Sequence, residues 1–195
     1  YQADINELSK HLNSLGFGQE VCFDCFEEDQ AFVPTSEWKY SIMNVGWVKG
    51  DTVNLGVGQG YLVVTPMQLA NYASILAAKG KIIEPSIVSS VNQGKSVKIW
   101  EHKGFGDYDW VRMHDALLGV IESDWGTARS ISNLKDFQVA GKSGTAELVS
   151  LDSKEAYQEV RASELLRDHS LIITFGPMPN PRYAVSVVIE NAESG

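Results

Sequence analysis

The stretch Gly176-Pro177-Met178-Pro179-Asn180-Pro181 constrains this chain most, because three of its six residues are proline. Proline fixes φ and has no N–H to donate, so the stretch can be neither helix interior nor central strand and reads as a turn. Leu171 to Phe175 before it is strand-like, and Arg182 to Glu190 after it alternates as a strand does. A turn between two consecutive strands implies an antiparallel pair. Phe137 to Glu147 reads as a third strand just upstream. Strands gathered at the end of the chain, after a helical first part, predict an α+β fold: an antiparallel sheet with helices packed on it.

The helical signals lie upstream. Ile5, Leu8, Leu12 and Leu15 recur at helical spacing, and Gly16 follows as a C-terminal cap. The sharpest start signal is Val64-Thr65-Pro66-Met67-Gln68-Leu69. Thr65 caps, Pro66 takes the first helical position, Gln68 closes a capping box, and Val64 and Leu69 form a hydrophobic staple. Leu69, Tyr72, Ala73, Leu76 and Ala77 make the apolar face, Gly80 ends the helix, and Ala70, Ala73, Ala77 and Ala78 predict a close neighbour. A further helix starts at Asp107 or Asp109 and runs to about Ser123, with Val111, His114, Leu117, Leu118 and Ile121 on one face. Gly126-Thr127-Ala128 opens a helix or turn leading to Leu134.

Between these, residues 18–54 read as irregular, with Phe23, Phe26, Phe32, Trp38 and Trp47 as buried anchors. Ile82-Ile83 and Ile87-Val88 read as short extended pieces either side of Pro85, residues 150–168 as an exposed charged insertion, and Trp110 and Trp125 as core. With 195 residues and 44% hydrophobic content, one domain with a real core is expected. The net charge of −9 and the lack of a basic block exclude nucleic-acid binding. No apolar run approaches the ~20 residues of a membrane span, and no signal-peptide pattern opens the chain. Tyr1 rather than Met favours a piece of a longer protein over a cytosolic one.

Cys22 and Cys25 are the only cysteines. If Val21 to Phe26 were a strand, the two sulfurs would point to opposite faces, so unpaired thiols are expected, with a disulfide or a metal as alternatives. No further Cys or His stands at ligand spacing, so no metal site is expected.

Val139-Ala140-Gly141-Lys142-Ser143-Gly144-Thr145-Ala146-Glu147 carries the densest chemistry. On a strand, Lys142 shares one face with Gly144, and Ser143 shares the other with Thr145. Gly144 lets a ligand lie against the backbone. The strand therefore offers a cation, two hydroxyls and backbone N–H groups to an anionic substrate.

Lys-Ser-Gly is one of three motifs of serine β-lactamases and penicillin-binding proteins. Here it stands among others in that family's order. They are Leu15-Gly16-Phe17-Gly18, Pro34 to Lys39, Gly56-Val57-Gly58-Gln59-Gly60 with Thr65 to Ala70, Gly126-Thr127-Ala128, Arg167-Asp168-His169, and Gly176-Pro177 with Asn180-Pro181. The chain resembles the penicillin-binding transpeptidases over almost its whole length, most of all the class B, elongation-type members. The resemblance implies a partial transpeptidase fold, with 1–195 as the C-terminal part of the domain, truncated at both ends.

It also implies an activity, peptidoglycan D,D-transpeptidation. A serine attacks a D-Ala-D-Ala bond, D-alanine leaves, and a stem-peptide amine takes the acyl group. Lys142 would supply positive potential, Ser143 and Thr145 would hold the substrate carboxylate beside Gly144, and the Thr145 N–H would be half of the oxyanion hole. The implied partners are peptidoglycan stem peptides, β-lactam antibiotics, and the missing N-terminal part or cell-elongation membrane proteins. No cofactor is implied, and the location is the periplasmic face of the bacterial inner membrane. The family's Ser-x-x-Lys nucleophile and its Ser-x-Asn or Ser-x-Asp both precede the segment matching residues 5–15. The nucleophile is therefore expected to lie outside this chain, and apolar helix and sheet faces to be exposed.

Three stretches imitate the missing motifs. Ser36-Glu37-Trp38-Lys39 and Ser132-Asn133-Leu134-Lys135 spell Ser-x-x-Lys, and Ser90-Val91-Asn92 spells Ser-x-Asn. A nucleophilic serine needs its lysine one turn away on a helix start. Ser36 lies in the irregular stretch, Ser132 is too close to Lys142, and Ser90 runs into a surface turn at Gln93-Gly94-Lys95. None is expected to act. Asp168-His169 reads as a structural pair at a strand start rather than an acid–base pair, and His11, His102 and His114 as exposed or packing residues. Two alternatives to the enzyme are a non-catalytic binding module and, more weakly, a serine β-lactamase.

Overall fold

A computed structural model of the chain describes residues 4–22, 24–88, 97–99, 105–134, 136–147 and 167–192. The readings of Phe23, of 89–96, of His102 and of most of the 150–168 insertion lie outside these residues. In chain order the elements are α1 (Ile5–Ser14), α2 (Ser36–Met43), α3 (Lys49–Gly56), α4 (Pro66–Ala77), β1 (Lys81–Ile83), β2 (Val97–Ile99), α5 (Asp107–Glu122), a 3₁₀ helix (Arg129–Leu134), β3 (Ala140–Ala146), β4 (His169–Gly176) and β5 (Tyr183–Ile189).

The proline-rich stretch does what its composition demands. It joins β4 to β5, and β3, β4 and β5 form an antiparallel sheet in that order. Both Gly176-Pro177 and Met178-Pro179 are cis. Opposite residues of antiparallel strands share a face, and the register sets Ala140, Phe175 and Ala184 in one row and Lys142, Ile173 and Ser186 in the next. That face builds the core. Ala140, Ile173 and Phe175 cluster with Ala73 and Leu76 of α4 and Trp110 and Leu117 of α5. Ala73 is fully buried, so the small residues of α4 do mark close packing. On the opposite face Val185, Val187 and Ile189 of β5 stand exposed, an apolar sheet surface of the kind expected.

The strongest helix signal is realised in full. The Thr65 hydroxyl accepts from Gln68 N at 3.1 Å, and Gln68 Oε1 accepts from Thr65 N at 3.2 Å. Gln68 is also buried and donates through Nε2 to the carbonyls of Gln19 and Gln30, closing the loop between them. The buried His114 packs its ring 5.3 Å from that of Phe175, and its Nε2 lies 2.7 Å from the Leu76 carbonyl. It ties α5 to both α4 and the sheet. Gly16 is where a side chain is forbidden: φ is +98°, and a Cβ would stand 2.8 Å from Asn71 Nδ2.

Six expectations need correction. Residues 18–54 are not irregular throughout, since α2 and α3 lie within them. Thr35 caps α2 through its hydroxyl on Trp38 N, a short signal masked by the surrounding aromatics. Phe26 and Trp125 are not anchors or core, with 96% and 93% exposure. Each sits in a turn between elements, with nothing packed over it. Val111 of α5 is exposed, because Trp110 takes the inward position beside it. Ile87-Val88 is not a strand; the chain there bends around Asp24, and β1 pairs instead with β2. Phe137 precedes β3 rather than starting it.

The cysteines are the sixth. Cys22 and Cys25 form a disulfide, with Cα atoms 5.5 Å apart. Three steps along an extended strand would span about 10 Å. The segment is therefore a turn, and the argument from opposite strand faces does not apply. Cys22, Asp24 and Cys25 bring three potential ligand atoms together, but sulfurs bonded to one another are not thiolate ligands.

Candidate active-site strand and its braces

Among the described residues β3 lies at one edge of its sheet, with no strand along its other long side. In an antiparallel ladder the N–H and C=O of one residue point the same way, so alternate residues address the neighbouring strand and the open edge. The Ser143 carbonyl accepts from Lys142 Nζ at 2.6 Å, and the Thr145 carbonyl accepts from Gln59 Nε2 at 3.0 Å. Neither donor belongs to β4. Residues 143 and 145 therefore address the open edge, and their N–H groups point there too.

The side chains of the strand divide as the alternation requires. Lys142 is exposed, on the face it shares with Gly144. A Cβ on Gly144 would meet Leu171 Cδ1 at 2.7 Å, so β4 already fills the space beneath it. On the other face, Ser143 Oγ lies 2.8 Å from Thr127 Oγ1, where either hydroxyl can donate. These two residues open onto a groove of about 250 Å³ between the 3₁₀ helix and the sheet, lined also by Ile131, Ser170, Ile172 and Val187. Lys142, Ser143, Gly144 and Thr145, consecutive in the chain, thus lie on one strand edge with a cation and two hydroxyls, and the space that the sequence reading leaves for a ligand against Gly144 is taken on that face by Leu171.

Two residues were not singled out. They are Gln59 and Thr127, both in glycine-bearing stretches. The available signal was a polar side chain set between glycines, at Gly58-Gln59-Gly60 and after Gly126. Gly58 and Gly60 have φ of +81° and +80°, which only glycine adopts at little cost. They turn the chain sharply enough for Gln59 to reach across to β3.

Ser36-x-x-Lys39 meets the geometric demand that an irregular stretch would deny it. Ser36 is the first residue of α2, so Ser36 and Lys39 do lie one turn apart on a helix start. Chemistry disqualifies it instead. Lys39 is buried, with its Nζ 2.5 Å from Asp51 Oδ2 and within 6 Å of the ring centres of Trp47 and Tyr61. The Asp51 hydrogen bond holds the ammonium above the usual lysine range although burial works the other way. Burial pushes the Asp51 carboxyl up, but Lys39 and the Val48 N–H more than offset it, and the carboxyl sits low. A lysine locked in its charged form cannot take a proton from Ser36, whose hydroxyl lies 3.1 Å from Asn6 Oδ1.

His169 opens β4, and its Nδ1 accepts from Asn191 N at 3.0 Å. Asn191 also reaches back to the Arg167 carbonyl at 3.3 Å. His169 thus closes the end of the sheet, a structural role like the one expected of Asp168-His169 but with Asn191 as its partner. Among the described residues, no helix is long and apolar enough to cross a membrane.

Residues 2–195 match the family model for the penicillin binding protein transpeptidase domain. The peptidoglycan D,D-transpeptidase MrdA of Acinetobacter baumannii is 32% identical over 200 residues, covering 100% of this chain and 29% of that protein. MrdA of Escherichia coli K12 is 33% identical over 205 residues, covering 100% of this chain and 32% of the relative. The chain therefore spans about a third of the length of the curated relatives it matches. Pseudomonas aeruginosa PBP2 in complex with WCK 5153 superposes with a TM-score of 0.81 at 33% identity, covering 98% of this chain and 40% of that one. PBP2 of Helicobacter pylori, in complex with MreC, also gives 0.81, at 26% identity over 99% of this chain and 33% of that one. With its antiparallel sheet, its Lys142-Ser143-Gly144-Thr145 edge and this match from residue 2 to residue 195, the chain belongs to the penicillin-binding protein transpeptidase domain family.

Proposed function

We propose that this chain is the substrate-binding part of a peptidoglycan D,D-transpeptidase. The observation that carries the reading is the open edge of β3, where Ser143 and Thr145 present backbone groups beside the Lys142 cation. A peptide ending in a carboxylate adds alongside such an edge as an extra strand. Lys142 supplies positive potential, the Ser143 and Thr145 hydroxyls hold the carboxylate, and the Thr145 N–H stabilises the oxyanion that forms when serine attacks the D-Ala-D-Ala carbonyl. The attacking serine belongs to a Ser-x-x-Lys outside residues 1–195, which stand as the C-terminal part of the domain.

The same edge would take β-lactams, which mimic the dipeptide. The Cys22–Cys25 disulfide fits an oxidising compartment and supports a periplasmic location at the inner membrane. Helicobacter pylori PBP2 binds MreC, and a cell-elongation membrane protein of that kind is the partner class we infer here.

The test is covalent labelling with a fluorescent penicillin. The full-length protein carrying this segment should be labelled on one serine upstream of Tyr1, and the 195-residue chain alone should not be. No labelling of the full-length protein would favour a non-catalytic binding module. Labelling at Ser36 would overturn both the assignment and the argument from Lys39.

A further inference from the structure

We infer that Gln59 is a positioning residue for the oxyanion donor at Thr145. The inference rests on the transpeptidase reading above and adds a residue to its machinery. Gln59 Nε2 donates to the Thr145 carbonyl at 3.0 Å, across 86 positions of sequence. The Thr145 N–H and C=O point to the same edge, so a bond that holds the carbonyl also fixes the direction of the N–H. Among the described residues no second strand flanks β3 to do this. Gln59 supplies a hydrogen bond on the side where a further strand would supply a ladder.

The brace is itself anchored. Gln59 N donates to the Asn54 carbonyl at 2.9 Å and Gly58 N to the Leu55 carbonyl at 2.9 Å, both at the end of α3. At its start, α3 is fixed by Asp51, which pairs with Lys39 of α2. A continuous set of contacts therefore runs from α2 through α3 and Gln59 to the reacting edge. Gly58 has open space where a Cβ would go, so its positive φ serves the turn and not close packing.

The proposal is tested in the full-length protein by measuring penicillin acylation, separating the initial dissociation constant from the acylation rate constant. Gln59→Ala should lower the rate constant by about tenfold to a hundredfold, the scale of a misplacement near 1 Å. Initial binding and melting temperature should stay unchanged. Gln59→Glu at neutral pH sets a carboxylate against the carbonyl and should fall below the alanine variant. Relative to wild type it should recover as pH drops toward the carboxyl range near ~4.3, because the protonated acid regains a donor. Gly58→Ala, which strains the turn and leaves Gln59 in place, should give a smaller loss in the same constant.

Equal rate constants for wild type and Gln59→Ala, or a Gln59→Glu variant with no acid recovery, would sink the Gln59 proposal and leave the transpeptidase reading intact. A wild-type protein that is not labelled at all would overturn both.

Discussion

Two lysines of this chain sit beside serines in family-like spellings, and their surroundings make them opposites. Lys39 is buried, and its charge is matched by Asp51 at 2.5 Å under the rings of Trp47 and Tyr61. Lys142 is exposed at a strand edge, and its ammonium rests on the neutral carbonyl of Ser143. A cation fully matched by a carboxylate organises structure and has little left to offer a ligand. A cation whose partner among the described residues is a neutral carbonyl keeps its field for whatever anion arrives. Spelling and helical spacing do not separate the two, since Ser36 and Lys39 also satisfy the geometry of Ser-x-x-Lys. The partner of the ammonium does.

The largest effect should come from removing that difference. In the full-length protein, Lys142→Ala should lower penicillin acylation by about 10²–10³, the scale of losing one preorganised electrostatic contact to a developing charge. The melting temperature should barely move, because the residue is exposed. Lys39→Ala should do the reverse. It strands the Asp51 carboxylate without its partner, so melting falls, while acylation per folded molecule falls far less than in Lys142→Ala, only through slackening of α3 and the Gln59 brace. If Lys39→Ala slowed acylation of correctly folded protein as much as Lys142→Ala does, the contrast between the two sites would be lost.

The sheet and the site were easier to read than the region around Lys39, for physical reasons. Pro177, Pro179 and Pro181 rule out regular structure by covalent geometry, so β4 and β5 follow from composition alone. Thr65 and Gln68 close the capping box through each other, so the start of α4 is equally local. The site needed just the alternation of one strand. The misreadings share another feature, dependence on contacts remote in sequence. Phe26 and Phe32 look alike on paper, yet Phe32 stacks 4.6 Å from Trp38 while Phe26 faces solvent. The Cys22–Cys25 turn is organised by Glu28, which accepts from Val21 N and Cys22 N. It is held in place by Asp24, which accepts from Ser86 and the N–H groups of Ile87 and Val88. No local pattern announces a partner more than sixty residues away.

A smaller effect should appear in the pH dependence of stability. Asp51 is held below the ordinary carboxyl range, so its contribution is present above the unfolded value near ~3.9 and is lost as pH falls through the lower folded one. Lys39 is held above the ordinary range, so its contribution is complete below ~10.4 and is lost as pH rises through the higher folded value. The melting-temperature gap between wild type and a Lys39→Ala, Asp51→Ala double variant should therefore be flat across the middle pH range and shrink at both ends. Asp24, held low by the Ile87 and then the Val88 N–H, also loses stability in acid, but it does so in both proteins and cancels. A gap that stays constant into strong acid would mean that the pair does not carry the difference.

The smallest effect tests the Lys142 edge from its other face. Thr127 and Ser143 share a hydrogen bond of 2.8 Å at the mouth of the groove, and valine would keep the shape of Thr127 without its hydroxyl. A single neutral hydrogen bond is worth about 0.5–1.5 kcal/mol net, which corresponds to about twofold to tenfold. Because the Ser143 hydroxyl is assigned to the substrate carboxylate and not to the reacting carbonyl, Thr127→Val should weaken initial penicillin binding by that factor and leave the acylation rate constant alone. Lys142→Ala and Gln59→Ala should instead show their loss in the rate constant. If Thr127→Val slowed acylation with binding intact, Ser143 would lie on the oxyanion side of the strand. The division of labour between positions 143 and 145 would then have to be reversed.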